Sequence, residues 1–236
     1  MNKVRYRNWE YATKGDYHKF LDPNWSYTPT YLRKMKYIHN FLDNLPEEVK
    51  ILDAGCGEGV LVEEYRSKGK QIEGIDLNYG SEYVRCGNVL EMPYPESTFD
   101  IVLCLDVFEH IAFKDQPLCL QEIRRVLKVG GALLISIPNL AHFNSRFKLF
   151  FKGELDRSDV ETNHIGERPM KENIGLLREA NFEIETVKGI TLTVPLLYRR
   201  IICRKPAMFR WLHDLLEPFA IPSLAMLNIL VCRAKK

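Results

Sequence analysis

The stretch Ile51-Leu-Asp-Ala-Gly-Cys-Gly-Glu-Gly-Val-Leu61 places glycine at positions 55, 57 and 59, directly after an apolar run. A strand that turns sharply into a helix leaves backbone N–H groups pointing outward at the helix N-terminus. Those groups suit anionic or polar ligand atoms. Glycine is needed where such a turn takes positive φ, or where a ligand lies directly on the main chain. One glycine after a strand is commonly no more than a tight turn. Three on alternate positions, between a strand over "VKILDAG" and a helix over Val60–Ser67, predict a turn built to receive a ligand.

The rest of the chain repeats the strand–helix alternation. Leu32, Met35, Ile38, Phe41 and Leu42 recur at helical spacing near the start. "QIEGIDL", "EYVRCG", "FDIVLCLD", "ALLISIPN", "FEIETVKG" and "MLNILVCRAKK" read as strands, with helices around Gln116–Leu127 and Lys171–Ala180. The first of these helices is expected to stop at Gly130–Gly131. Continuous apolar runs such as "ALLISI" fit strands buried on both faces. The expected fold is α/β: a Rossmann-like, seven-stranded, mostly parallel sheet with an antiparallel last strand, helices on both faces, and helical insertions. The connection from Asp76 to Tyr83 is too short for a full helix, so that crossover must be trimmed. One domain is expected over residues 1–236: a helical cap over 1–45, a core over 46–188, a helical insertion over 189–224, and the last strand over 225–236.

The ligand can be narrowed. The dinucleotide fingerprint G-x-G-x-x-G requires a third glycine where this chain has Val60. The acid about twenty residues downstream is present as Asp76, at the end of "QIEGID", where a carboxylate accepts hydrogen bonds from both hydroxyls of a ribose. The pattern therefore favours a nucleoside without a pyrophosphate, and disfavours a nicotinamide dehydrogenase.

"ILDAGCGEG", "GIDL", "GNVLEMPYPESTFDIVLCLDVFEHI" and "EIRRVLKVGGALLISIPN", in this order from about Lys50 to Asn139, resemble the class I S-adenosylmethionine-dependent methyltransferases. By texture the chain is similar to the small-molecule O-methyltransferases that modify quinones and sugars. The resemblance implies S-adenosyl-L-methionine as cofactor and S-adenosyl-L-homocysteine as product. It implies that Asp53, Ala54, Gly55, Cys56 and Gly57 hold the methionine part. Asp76 binds the ribose, Leu77 packs on the adenine, and Asn88 and Val89 sit at its edge. Asp106 lies near the cofactor amine. Asn88 departs from the family's usual Asp, although its side-chain oxygen can still accept a hydrogen bond. The implied acceptor is a small or lipid-like molecule, methylated on oxygen. An N-methyltransferase of the same fold and a cofactor-binding protein without turnover are the alternatives.

A sulfonium methyl group needs mainly an aligned nucleophile, with a general base where that nucleophile is a hydroxyl. His110, His142 and His164 are the candidates, and each has a bland alternative as an ordinary hydrogen bonder. Glu109, His110 and His164, with Asp159 or Glu161, are the residues that could converge on a cation. Their spacing forms no tight ligand pattern, and no metal is expected.

Lys and Arg number 33 against 31 Asp and Glu, a net charge of +2, which gives no signature of nucleic-acid binding. Six scattered cysteines form no C-x-x-C pair, and "MNKVRYRNWEYATKGDYHKF" lacks an apolar signal core, so a reducing, cytoplasmic setting is expected. No integral membrane segment is expected, since no apolar run approaches about 18 residues. The basic and aromatic stretch "LLYRRIICRKPAMFRWLHDLL" reads either as peripheral membrane contact, as a site for an anionic substrate, or as a lid over the sheet or a dimer partner. A monomer and a homodimer both remain open.

Overall fold

The computed structural model describes residues 21–155 and 164–235. Seven strands form one sheet in the order β3-β2-β1-β4-β5-β7-β6. They are β1 (Lys50–Ala54), β2 (Gln71–Asp76), β3 (Val84–Cys86), β4 (Phe99–Leu105), β5 (Leu127–Pro138), β6 (Phe182–Leu192) and β7 (Ala225–Ala234). β1 through β5 pair in parallel, while β7 runs antiparallel to both β5 and β6. This is the expected Rossmann-like arrangement. The strand order reverses between β1 and β4, so the crevice at their carboxyl ends is where such a sheet takes a ligand.

Period-two alternation along the strands divides the core in two. Ile51, Ile72, Ile101, Leu103, Ala132 and Leu134 face one side. There they meet α1 (Thr28–Asp43), through Tyr31, Met35, Ile38 and Leu42, and α2 (Val60–Ser67), through Leu61, Val62 and Tyr65. Leu52, Ala54, Ile75, Val102, Leu133 and Ile135 face the other side, against α3 (Gln116–Val126). Met170 and Leu177 of α5 (Met170–Glu179) join that second layer. No helix separates β2 from β3, so the trimmed crossover is present.

Two expectations are corrected. Helix α3 stops at Val126, ahead of the glycine pair. Leu127 already pairs with Phe99, and Gly130–Gly131 lie inside β5. The reason is packing: a Cβ on Gly131 would stand 2.9 Å from the Asp100 carbonyl oxygen, so the glycine lets β5 close against β4. The stretch 189–224 is also less helical than expected, because β6 continues to Leu192. After it come two short helices, α6 (Leu197–Arg200) and α7 (Arg210–Leu216), flanked by 3₁₀ turns. Helix α4 (Phe143–Lys152) was not anticipated, and its Phe150 and Phe151 are exposed.

Arg33 fastens the late insertion to α1. It donates to Glu217 at 2.9 Å, pairs with Asp214, and meets His213 Nδ1 at 3.0 Å. Burial and the Arg33 charge hold the His213 imidazole down at about 4, so it stays neutral. Among the described residues no helix is long and apolar enough to cross a membrane.

Ile38 is fully buried where α1 meets the sheet. Ile38→Ala is expected to lower unfolding stability by about 3 kcal/mol, through lost transfer energy and an unfilled cavity. Urea denaturation followed by circular dichroism checks this.

Candidate active site

The glycine turn is built as its spacing predicts. Gly55, Gly57 and Gly59 have φ of +84°, +57° and +79°. Space is as restrictive as the dihedral angles: a Cβ on Gly55 would stand 2.3 Å from Val107, and one on Gly59 would stand 2.5 Å from Val84. The turn is pinned to β2 by its own amides. Gly55 and Cys56 donate to the Ile75 carbonyl at 2.7 and 3.3 Å. Gly57 N–H donates to Asp76 Oδ2 at 2.9 Å, and Asn78 N–H donates to Asp76 Oδ1 at 2.9 Å. Asp76 thus holds the turn while each oxygen keeps a further lone pair for a ligand. Next to it Leu77 is 64% exposed, an apolar side chain left in the open beside a charged one.

Asn88 and Val89 follow β3. Asn88 Oδ1 accepts from Leu90 N–H at 3.0 Å and Val89 packs half-buried on the core, so the side-chain oxygen first shapes its own loop. Asp53, at the end of β1, is buried. Burial, reinforced by the neighbouring Asp76 and opposed by Lys34, pushes its carboxyl up to about 7.

Asp106 caps no helix: the residue ahead of the 3₁₀ turn Phe108–His110 is Val107. Asp106 itself takes φ of +54°, a conformation that costs most residues strain and that Asp tolerates better than most. Ser136 secures it by accepting from the Asp106 N–H at 2.9 Å and donating to its carboxylate. Lys34 of α1, only 1% exposed, forms an ion pair with the same carboxylate, and the Tyr27 hydroxyl donates to it at 3.4 Å. Burial, then the charges of Asp106 and Glu109, hold the Tyr27 phenol well above its ordinary range.

The three histidines separate into two groups. His142 precedes α4, is buried, and shares a 2.7 Å hydrogen bond between Nδ1 and Thr193 Oγ1, which ties α4 to the end of β6. His110 and His164 stand together, ring centroids 4.6 Å apart and nearly perpendicular. Glu109 is buried beside them, and burial, followed by the Asp106 charge, raises its carboxyl well above the usual range. Asp159 and Glu161 lie outside the described residues. The groove at the amino ends of the strands, lined by Arg66, Lys70 and Tyr83 among others, opens at the other end of the sheet and contains none of the candidate site residues.

Several contributors went unnoticed in the sequence. Lys34 had a signal: a lysine on the face of α1 that otherwise carries Tyr31, Met35 and Ile38. Ser136 lies within a strand and Gln116 at a helix start, positions at which polar residues are ordinary.

Comparison with known proteins agrees with this geometry. Residues 52–135, about a third of the chain, match the family model described as a methyltransferase domain. A protein of Mycolicibacterium smegmatis described as a probable S-adenosylmethionine-dependent methyltransferase is 30% identical over 150 residues, covering 59% of this chain and 54% of its own. The ubiquinone biosynthesis O-methyltransferase of Nitrosomonas europaea is 28% identical over 140 residues, covering 52% and 58%. The chain thus spans about half the length of these curated relatives. Among solved structures, the Burkholderia thailandensis 1,6-didemethyltoxoflavin-N1-methyltransferase, with bound 1,6-didemethyltoxoflavin and S-adenosylhomocysteine, superposes with a TM-score of 0.57 at 16% identity, covering 96% of this chain and 84% of that one. That likeness is one of fold.

Asp53 gives a test of the site's electrostatics. Its folded value of about 7 exceeds the ordinary Asp value of 3.8, so folding holds a proton that the unfolded chain releases. Stability from this group is full below about pH 4 and is lost as pH rises through 7. Between pH 5 and pH 8 the wild type is expected to lose about 2 kcal/mol more than Asp53→Asn. Denaturant titrations of both proteins at the two pH values measure it.

Proposed function

We propose that this chain is an S-adenosylmethionine-dependent methyltransferase that methylates an oxygen of a small or lipid-like acceptor. The observation that carries the reading is the clamp between the glycine turn and Asp76, with Leu77 open beside it. The residues fit the cofactor. Positions 55 and 59 admit no side chain, so the main chain stays bare where a ligand would lie on it. A carboxylate with spare lone pairs and an exposed aliphatic side chain suit a ribose and an adenine face.

In this reading Asp53, Ala54, Gly55, Cys56 and Gly57 receive the methionine part and Asp76 the ribose. Leu77, Asn88 and Val89 border the adenine, and Asp106 faces the amine. The cofactor supplies a methyl group already activated by a sulfonium. What remains for the protein is to place the acceptor in line with it and exclude water. Lys34 and Ser136 hold the Asp106 carboxylate in place, so a fixed position is what it contributes. Of the candidate bases, His110 follows Asp106 on the turn after β4 and stacks edge-on against His164, so these two form the acceptor-side pair, while His142 is hydrogen-bonded to Thr193. A relative named for ubiquinone biosynthesis favours an oxygen acceptor.

The test is transfer itself. Cofactor labelled on the methyl carbon, incubated with pools of phenols, sugars, lipids and amines, is expected to label the hydroxyl-bearing compounds. Loss of charge-assisted hydrogen bonds in Asp76→Ala is expected to cut labelling by about 10–100-fold while the fold persists. Label in amines alone would redirect the reading to nitrogen. Label in no pool, from a protein that still binds the cofactor, would leave a binding protein without turnover.

A further inference from the structure

Glu109, His110 and His164 each offer a ligand atom, and these atoms lie within 4.8 Å of one another. The cluster joins two separate pieces of chain: the 3₁₀ turn after β4 and the loop before α5. Three features hold the pieces in register. Gly166 N–H donates to the Glu109 carbonyl at 2.8 Å. Fully buried Gln116 donates through Nε2 to the Phe108 carbonyl at 3.1 Å and the Gly166 carbonyl at 2.8 Å, and its Oε1 accepts from Arg168 at 2.7 Å. A Cβ on residue 166 would stand 2.1 Å from the Ile111 carbonyl oxygen, so only glycine permits this approach.

Within that frame Glu109 is 3% exposed, and among the described residues its Oε2 has no hydrogen-bond partner. A buried carboxylate oxygen is seldom left so. Glu167, also buried, accepts from or shares a proton with His164 Nδ1 at 2.8 Å. A carboxylate on one ring nitrogen fixes the tautomer and orientation of the other, which is the usual arrangement behind a metal-ligating histidine. Two carboxyl groups are thereby buried beside a pair of imidazoles, and a cation bound there would favour the ionised form of Glu109 that burial otherwise disfavours.

We propose that Glu109, His110 and His164 bind a divalent transition-metal cation, with Glu167 orienting His164 from behind. Two imidazoles and one carboxylate match the chemistry of zinc, cobalt or manganese rather than that of magnesium or calcium, which favour oxygen donors throughout. Bonds of about 2.1 Å bring ligand atoms closer than 4.8 Å, so the side chains close in by an ångström or so on binding. His110 is exposed, which makes that adjustment cheap and leaves the far side of the ion open. Three protein ligands leave at least one position for a water or an oxygen of an incoming molecule. That this molecule is the methyl acceptor rests on the function proposed above; the site itself does not.

The test uses the full-length chain, stripped of metal and titrated with Co²⁺, whose visible absorption reports imidazole and carboxylate ligation. One ion per chain is expected. His110→Ala and His164→Ala should each weaken it by at least about 100-fold, and Glu167→Gln by about 10-fold. Gly166→Ala, which removes no ligand, should weaken it as well, while His39→Gln should leave it unchanged. S-adenosylhomocysteine binding is measured on the same samples. Absence of Co²⁺ binding at millimolar concentration, or binding indifferent to both histidine variants, would overturn the site even where the nucleoside still binds. Metal bound as described without any nucleoside binding would leave the site standing and remove the methyltransferase reading.

Discussion

The hydrogen bond from Gly57 N–H to Asp76 is the contact on which the rest of the site depends. It joins the end of β1 to the end of β2 and makes one carboxylate serve both the turn and its prospective ligand. Its geometry needs the left-handed φ of Gly57, and the glycines on either side remove the side chains that would fill the same space. Gly55 and Cys56 anchor the turn a second time on the Ile75 carbonyl, so the loop is fixed before any ligand arrives. Pre-organisation of this kind lowers the ordering cost of binding.

A second clamp sits one strand away. Asp106 takes an uncommon backbone conformation because Ser136 on β5, Lys34 on α1 and Tyr27 all converge on it. A buried lysine is costly unless paired, and removing either partner would leave a charge without its counter-ion. The pair therefore makes the docking of α1 part of the site rather than a cap laid over it. Gln116 does the same for the histidines, since one carboxamide bonds both pieces of chain that carry them. Turn, acid and histidine pair are each held by residues from neighbouring elements, which is how a sheet edge becomes a defined pocket wall.

How much of this could be read from the sequence follows from range. The glycine turn, the paired acid Asp76 and the strand–helix alternation rest on local rules: φ freedom, pleat period and helical spacing. They agree with the structure closely, down to the trimmed crossover after β2. The end of α3 was misjudged because Gly130–Gly131 resembles a helix stop, while its role is to let β5 approach Asp100 of β4, a contact that depends on the assembled sheet. The stretch after Gly189 was misjudged because β6 gains three more residues by pairing with β7, from far along the chain. Ser136, Gln116 and Gly166 were invisible for the same reason, and Lys34 showed only as a charge on the apolar face of α1, with nothing to name its partner. Each acts on a partner between 30 and 72 residues away, and no periodicity marks such pairs. His142 and His164 looked equivalent as loop histidines, and only the fold gives one to Thr193 and the other to His110.

The central claim is that the clamp between the glycine turn and Asp76 holds an adenosyl group without a pyrophosphate. Isothermal titration with S-adenosylhomocysteine, beside NAD under the same conditions, measures it most directly. The account predicts one-to-one binding of S-adenosylhomocysteine and none of NAD. Binding of NAD alone, or of neither compound by a folded protein, would contradict it, because the turn would then be serving a different ligand or only the fold.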